Sequence, residues 1–170
     1  MERLRKAESV ILGLESALLV AILVFLIFMS FLQVILRQVF GGGILWGDTL
    51  LRHLVLWVGF LGAARASAEE KHFAFETLSD RLPPRAHAAM TAAAHLFAAA
   101  VALLLAKASW SYLLAEKAEA RSLFTVGSLS VPAWLLETII PVGFLLVFGH
   151  TALRAVLRAP EALGRTAPRP

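Results

Sequence analysis

The sequence predicts an all-α integral membrane protein: four transmembrane helices, both termini in the cytoplasm, and an interfacial segment between the second and third helices. Three observations carry that expectation. Residues 16–36 run for 21 positions without a charge, which matches the roughly 20 residues that cross a ~30 Å hydrocarbon core. Four apolar stretches of this kind, joined by three charged connections, take up nearly all of the 170 residues. The chain is 59% hydrophobic and 16% charged, with a mean hydropathy of +0.76, outside the usual range of soluble domains. A single membrane domain over residues 1–170 follows, with no room for a separate soluble catalytic unit.

The first helix is expected over about residues 13–37, ending near Gln33 and Arg37 before Gly41-Gly42-Gly43. Arg3, Arg5 and Lys6 ahead of it resemble the start of a signal peptide. The apolar run exceeds the ~7–15 residues of a signal core, however, and no small-x-small cleavage site precedes a soluble domain, so the helix is read as retained. The second helix, about 46–65, is atypical: Asp48, Arg52 and His53 fall in its first two turns. Its uninterrupted apolar part, 54–64, is too short to span alone, so the polar turn must lie at the interface or against protein. In the connection that follows, Phe73, Phe75, Leu78 and Leu82 alternate with polar groups, the pattern of a segment lying along headgroups. Pro83-Pro84 opens an alanine-rich third helix over 85–112 or longer, with Arg121 as the furthest end the pattern allows. Residues 122–132, with Gly127, several serines and Pro132, read as a loop. The fourth helix covers 133–154 with a kink at Pro141, and 159–170 read as a disordered, proline-rich tail.

Basic residues set the orientation. Arg3, Arg5, Lys6, Arg65, Lys71, Arg81, Arg85, Arg154, Arg158, Arg165 and Arg169 fall on one side, against Arg37, Lys107, Lys117 and Arg121 on the other. This bias predicts cytoplasmic termini. It also accounts for the +4 net charge and pI near 10.1 without nucleic acid; membrane lipids are the surface such residues meet.

The residues that could carry chemistry are few. With no cysteine in the chain, thiol chemistry and Cys-ligated metal are excluded. Asp48 and Arg52, four apart, share a helix face and can pair, which reads as an anchor beside Trp46 rather than an ion path. Glu137, about one turn into the fourth helix, suits an interhelical polar contact. His53, His72, His95 and His150 raise a haem-binding alternative, a small b-type cytochrome subunit. A small autonomous exporter is a second alternative, but it needs a carboxylate deep in the bilayer, and Glu15 lies too shallow. Gly59 and Gly62-Ala63-Ala64 are read as packing surface. There is no phosphate loop, catalytic triad or metal constellation, so the expectation is a protein without enzymatic activity or cofactor.

The order of motifs resembles the small membrane subunit (DctQ-type) of tripartite ATP-independent periplasmic, or TRAP, transporters. Gln33-Val34-Ile35-Leu36-Arg37 is similar to the family's Q-x-x-x-R helix ending. Trp46, Asp48, Arg52, Trp57 and Gly62-Ala63 fall where the family pattern has tryptophan, acid, arginine, tryptophan and Gly-Ala. His72-Phe73-Ala74-Phe75-Glu76, then Leu82-Pro83, resemble its middle motif. Ser130-Val131-Pro132-Ala133-Trp134 and Pro141-Val142-Gly143-Phe144 resemble its fourth helix. One departure is Thr49, where the family often has a second acid. The resemblance implies a bacterial inner-membrane complex. In it a large (DctM-type) membrane subunit holds the substrate and sodium sites, a periplasmic binding protein delivers an organic acid, and the small subunit braces the immobile scaffold. Gln33, Arg37, Trp46, Asp48, Arg52, Trp57, Gly62, His72, Glu137 and Pro141 are the candidate interface or anchor residues.

Overall fold

A computed structural model of the chain describes the backbone of residues 2–68 and 84–162, with side chains over 10–68, 86 and 89–156. The expected interfacial segment, His72 and the tail beyond residue 162 lie outside the described residues. Helix α1 spans Glu2–Phe40, α2 Gly47–Ala68 and α3 Pro84–Glu119; strands β1 (Ser122–Val126) and β2 (Leu129–Pro132) follow, then α4 (Ala133–Glu137) and α5 (Ile139–Ala162).

Both long helices outrun a bilayer. The 39 residues of α1 and 36 of α3 make rods of about 58 and 54 Å at ~1.5 Å per residue. The polar start of α1, rich in Glu, Arg, Lys and Ala, extends the helix because these residues are good helix formers. Gly41, with φ +66°, is the left-handed residue that ends it at no steric cost.

Three helices are long and apolar enough to cross a membrane: Val10–Phe40, Ala89–Glu119 and Ala133–Val156, the last running through α4 and α5. At 22 residues α2 has the length, but Asp48, Arg52 and Arg65 keep it out of that set. The structure thus establishes an α-helical membrane protein with three such helices among the described residues.

The helices pack in the order α1, α2, α5, α3. Between α1, α2 and α5 sits a cluster of Ile22, Leu61 and Ile139, flanked by Leu19, Leu54, Trp57 and Phe60. The α3 seam explains its alanine content. His95, Ala99, Ala102, Ala106, Ser109, Leu113 and Glu116 are all buried, at alternating steps of four and three. That is the 3.5-residue period of a helix held along one line on its neighbour, and small side chains let the axes approach closely. On the α2 side of α5, a Cβ built on Gly143 would lie 2.7 Å from Phe60 Cβ, so α2 and α5 meet there as closely as a glycine permits.

One expectation is corrected. Residues 122–132 form an antiparallel hairpin, with Val126 paired to Leu129 and Phe124 to Val131, and an irregularity between Ser122 and Phe124. Gly127 has φ +61° while Ser128 does not enter positive φ, the pattern of a type II′ two-residue turn. The kink expected at Pro141 falls at Thr138, three residues earlier. Proline has no N–H to offer the carbonyl of Glu137. Thr138 closes the preceding turn with its own N–H and hydroxyl, both donated to Trp134 O at 3.1 and 2.8 Å.

Candidate functional site

The polar side chains gather at the two ends of the helices. At the end formed by residues 33–48 and the hairpin, buried Gln33 works as a clasp between α1 and α2. Its Nε2 donates to Ile44 O at 3.0 Å, and its Oε1 accepts from Ile44 N at 2.9 Å. The amide thereby closes the glycine loop as a neighbouring strand would. A Cβ on Gly43 would stand 2.7 Å from Gln33 Oε1, and one on Gly47 3.2 Å from its Cδ; both glycines are needed to admit the amide.

Asp48 does not pair with Arg52. Its carboxylate takes the Arg37 guanidinium in a short ion pair and the Gln33 amide at 3.3 Å, both reaching back from α1. Arg52 Nε donates instead to the Asp48 backbone carbonyl at 3.3 Å. The fold brings the end of α1 to the carboxylate from the far side of the loop, and a neighbour four residues along α2 does not compete with that geometry.

Further contacts tie this end together. The Trp57 indole donates to Leu136 O at 2.7 Å, one residue before the Glu137 carbonyl that Pro141 cannot serve. Trp46 stacks on Phe124 of the hairpin, ring centres 6.0 Å apart. The Tyr112 hydroxyl donates to Glu137 Oε2 at 2.9 Å, linking α3 to α4. Lys117 Nζ lies 5.2 Å from the Trp134 ring centre, a cation–π geometry. Beyond the apolar span, Arg121 Nε donates to Glu116 at 2.7 Å, and this pairing raises the arginine pKa above its ordinary value. Pro141 is fully buried, whereas Gly62 has nothing within 4 Å of a built Cβ.

The opposite end holds a joint that sequence reasoning missed. His150 Nε2 lies 3.1 Å from Glu15 Oε1, with both side chains nearly inaccessible. Arg65 reaches from α2 to Leu12 O at 3.1 Å and to the Ser16 hydroxyl, and Arg154 donates to Ala68 O at 2.6 Å. Glu15 recurs with Ile22 and Met29 at steps of seven, all buried. That step was the available signal that Glu15 faces inward; nothing in the spacing names His150. The Nε2 atom of His150 is thus engaged by Glu15. Among the described residues there is no group of three or more metal-ligating side chains.

Long apolar helices, pinned to one another at both ends by side chains that bond across the chain, define a multi-pass α-helical membrane protein. Residues 26–161 match the family described as "Tripartite ATP-independent periplasmic transporters, DctQ component". The chain belongs to that family, a component of TRAP transporters in the inner membrane. Over 93 residues it is 31% identical to a Haemophilus influenzae protein with the provisional name TRAP transporter small permease protein. The match covers 55% of this chain and 58% of that relative.

Proposed function

We propose that this small permease subunit acts as a non-catalytic brace. It holds the immobile part of a large membrane subunit while that partner carries out sodium-coupled uptake of an organic acid delivered by a periplasmic binding protein. One observation carries the reading: six of the described polar side chains are used to join the chain's own elements. Gln33, Asp48, Trp57, Glu137, Glu15 and His150 each bond another helix or the loop beside it. The faces between the two ends present mainly Leu, Val, Ala and Phe, which cannot satisfy a carboxylate taken out of water.

The topology is part of the proposal. We place α2 across the membrane as a fourth span, its charged turn sheltered by α1 and by partner protein, with both termini cytoplasmic as the basic residues dictate. Single cysteines in this cysteine-free chain test it: Gly42→Cys and Ser122→Cys react with an impermeant thiol reagent from outside, and Glu70→Cys does not. Reversed labelling overturns the orientation.

The function is tested by deletion and substitution. Loss of the subunit abolishes uptake. Replacing His95 or Glu137 changes the amount of assembled complex or the maximal rate and leaves the order of preference among competing organic acids intact. A reordered preference at matched complex levels places part of the substrate path in this chain and defeats the brace.

A further inference from the structure

The apolar middle of the described helices carries a single formal charge. Residues 16–36 of α1, 54–64 of α2 and 138–149 of α4 and α5 have none, and residues 96–115 of α3 have Lys107 alone. Lys107 is exposed, as are its neighbours Leu103, Leu104 and Trp110. It therefore faces away from the α3 seam, which runs through buried Ala106 and Ser109. None of the ion pairs or side-chain hydrogen bonds among the described residues uses its ammonium group.

Contacts between the helices fix the depth of this lysine. Tyr112 lies about 8 Å further along α3, at ~1.5 Å per residue, and is level with its hydrogen-bond partner Glu137. Glu137 stands about 20 Å along α4 and α5 from His150, which is bonded to Glu15. On parallel axes Lys107 is thus about 12 Å above the Glu15–His150 joint. The Arg37–Asp48 pair stands about 33 Å above the same joint along α1, an interval that matches a ~30 Å hydrocarbon core. An extended lysine side chain reaches only ~6 Å from its Cα. Stretched either way, the ammonium stays inside that interval: about 6 Å above the joint, or about 15 Å short of the Arg37–Asp48 level. Headgroup phosphate is out of reach, and a cation at this depth calls for an opposite charge supplied by protein.

The chain's own described carboxylates do not supply it. Asp48 is taken by Arg37, Glu116 by Arg121, Glu15 by His150 and Glu137 by Tyr112, while Glu119 lies about 18 Å further along α3. With these carboxylates, a second copy of the chain could answer Lys107 only by breaking one of its own joints. We propose that Lys107 is the contact point for a different membrane protein, one of whose transmembrane helices crosses the outward face of α3 and lays an Asp or Glu against the ammonium. Charge and depth call for that partner; only its equation with the large subunit rests on the function proposed above.

The test uses the full chain co-expressed with the large subunit. A lipid-soluble carbodiimide couples an amine to a carboxyl group in contact with it, and mass spectrometry is expected to find Lys107 amide-linked to an Asp or Glu in a membrane-spanning segment of the large subunit. Lys107→Met leaves the melting of the purified chain unchanged and lowers recovered complex at least about tenfold, the equivalent of ~1.4 kcal/mol. Lys107→Glu lowers recovery further, and replacing the linked acid of the partner by lysine restores it. Full recovery with Lys107→Met, or a link to a second copy of this chain, overturns the site and leaves the brace standing. So does the loss, on Lys107→Met, of a bound anionic lipid seen by native mass spectrometry while the protein complex stays intact. Failure of the unaltered chain to co-purify with the large subunit overturns both.

Discussion

Replacing His150 with alanine probes the buried joint between α1 and α5. The imidazole is 3.1 Å from Glu15 Oε1, and the two side chains are 6% and 5% exposed. The second carboxyl oxygen, Glu15 Oε2, has no hydrogen-bond partner among the described residues. Removing His150 therefore leaves a buried carboxyl group with neither oxygen engaged by a described side chain. Breaking a buried pair from one side costs about 3–5 kcal/mol. In a chain of this size each kcal/mol moves the midpoint by about 2–4 °C, so the variant melts about 6–20 °C lower. The assay is thermal unfolding of the purified full chain in detergent, followed by circular dichroism and by tryptophan fluorescence. Glu15→Ala is expected to lose a similar amount, since it orphans the imidazole. The double replacement Glu15→Leu/His150→Leu leaves no orphan and stays near the parent, because an apolar pair of similar volume replaces a buried polar pair at little cost. If both single variants lose under about 1 kcal/mol and their effects add, the joint behaves as a solvated surface pair, and the argument from burial is refuted.

Three further outcomes follow from the geometry. Gln33→Leu deprives Ile44 of both the donor and the acceptor that close the glycine loop, and is expected to cost about 1–3 kcal/mol, read by the same melting assay and by faster amide exchange across residues 41–46. Gly143→Ala drives a methyl group into Phe60 and costs about 1–3 kcal/mol by overpacking; Phe60→Ala in the same chain recovers part of the loss if the clash is the cause. Ala120 has φ +50°, a left-handed conformation that costs a residue with a Cβ about 1–2 kcal/mol. Ala120→Gly is therefore expected to raise the melting point slightly, and a drop would show that the turn after α3 is not strained.

The helices were legible where hydrophobicity alone decides. The uncharged run in α1 and the alanine-rich length of α3 mark themselves, because a spanning helix is constrained residue by residue by the bilayer. The overhangs were less visible: the start of α1 is polar, and only helix propensity extends it to Glu2. The hairpin was obscured by Ser, Gly and Pro, which are loop residues by composition. Leu123-Phe124-Thr125-Val126 and Leu129-Ser130-Val131 around Gly127-Ser128 carry the β-branched and aromatic pattern that would have identified it. Partnerships were legible least. Asp48 has a tempting arginine one turn along α2, yet its carboxylate is claimed by Arg37 across a loop whose path no spacing rule describes. Glu15 and His150 are 135 residues apart, and they meet only because α1 and α5 both pack on α2.

The long run of α3 into the hairpin gives residue count a directional meaning. From Ala89 the helix continues unbroken to Glu119, and the hairpin begins three residues later. Every residue in that rod adds about 1.5 Å of height and ~100° of rotation. Deleting a single alanine from its membrane part would lower the hairpin only slightly but swing Phe124 away from Trp46, whereas deleting seven would lower it by about two turns with nearly the same heading. The hairpin is in this sense a pointer on a threaded shaft: its bearing is written in the phase of α3, its reach in the helix's length, and evolution can adjust the two separately only in steps of about one turn.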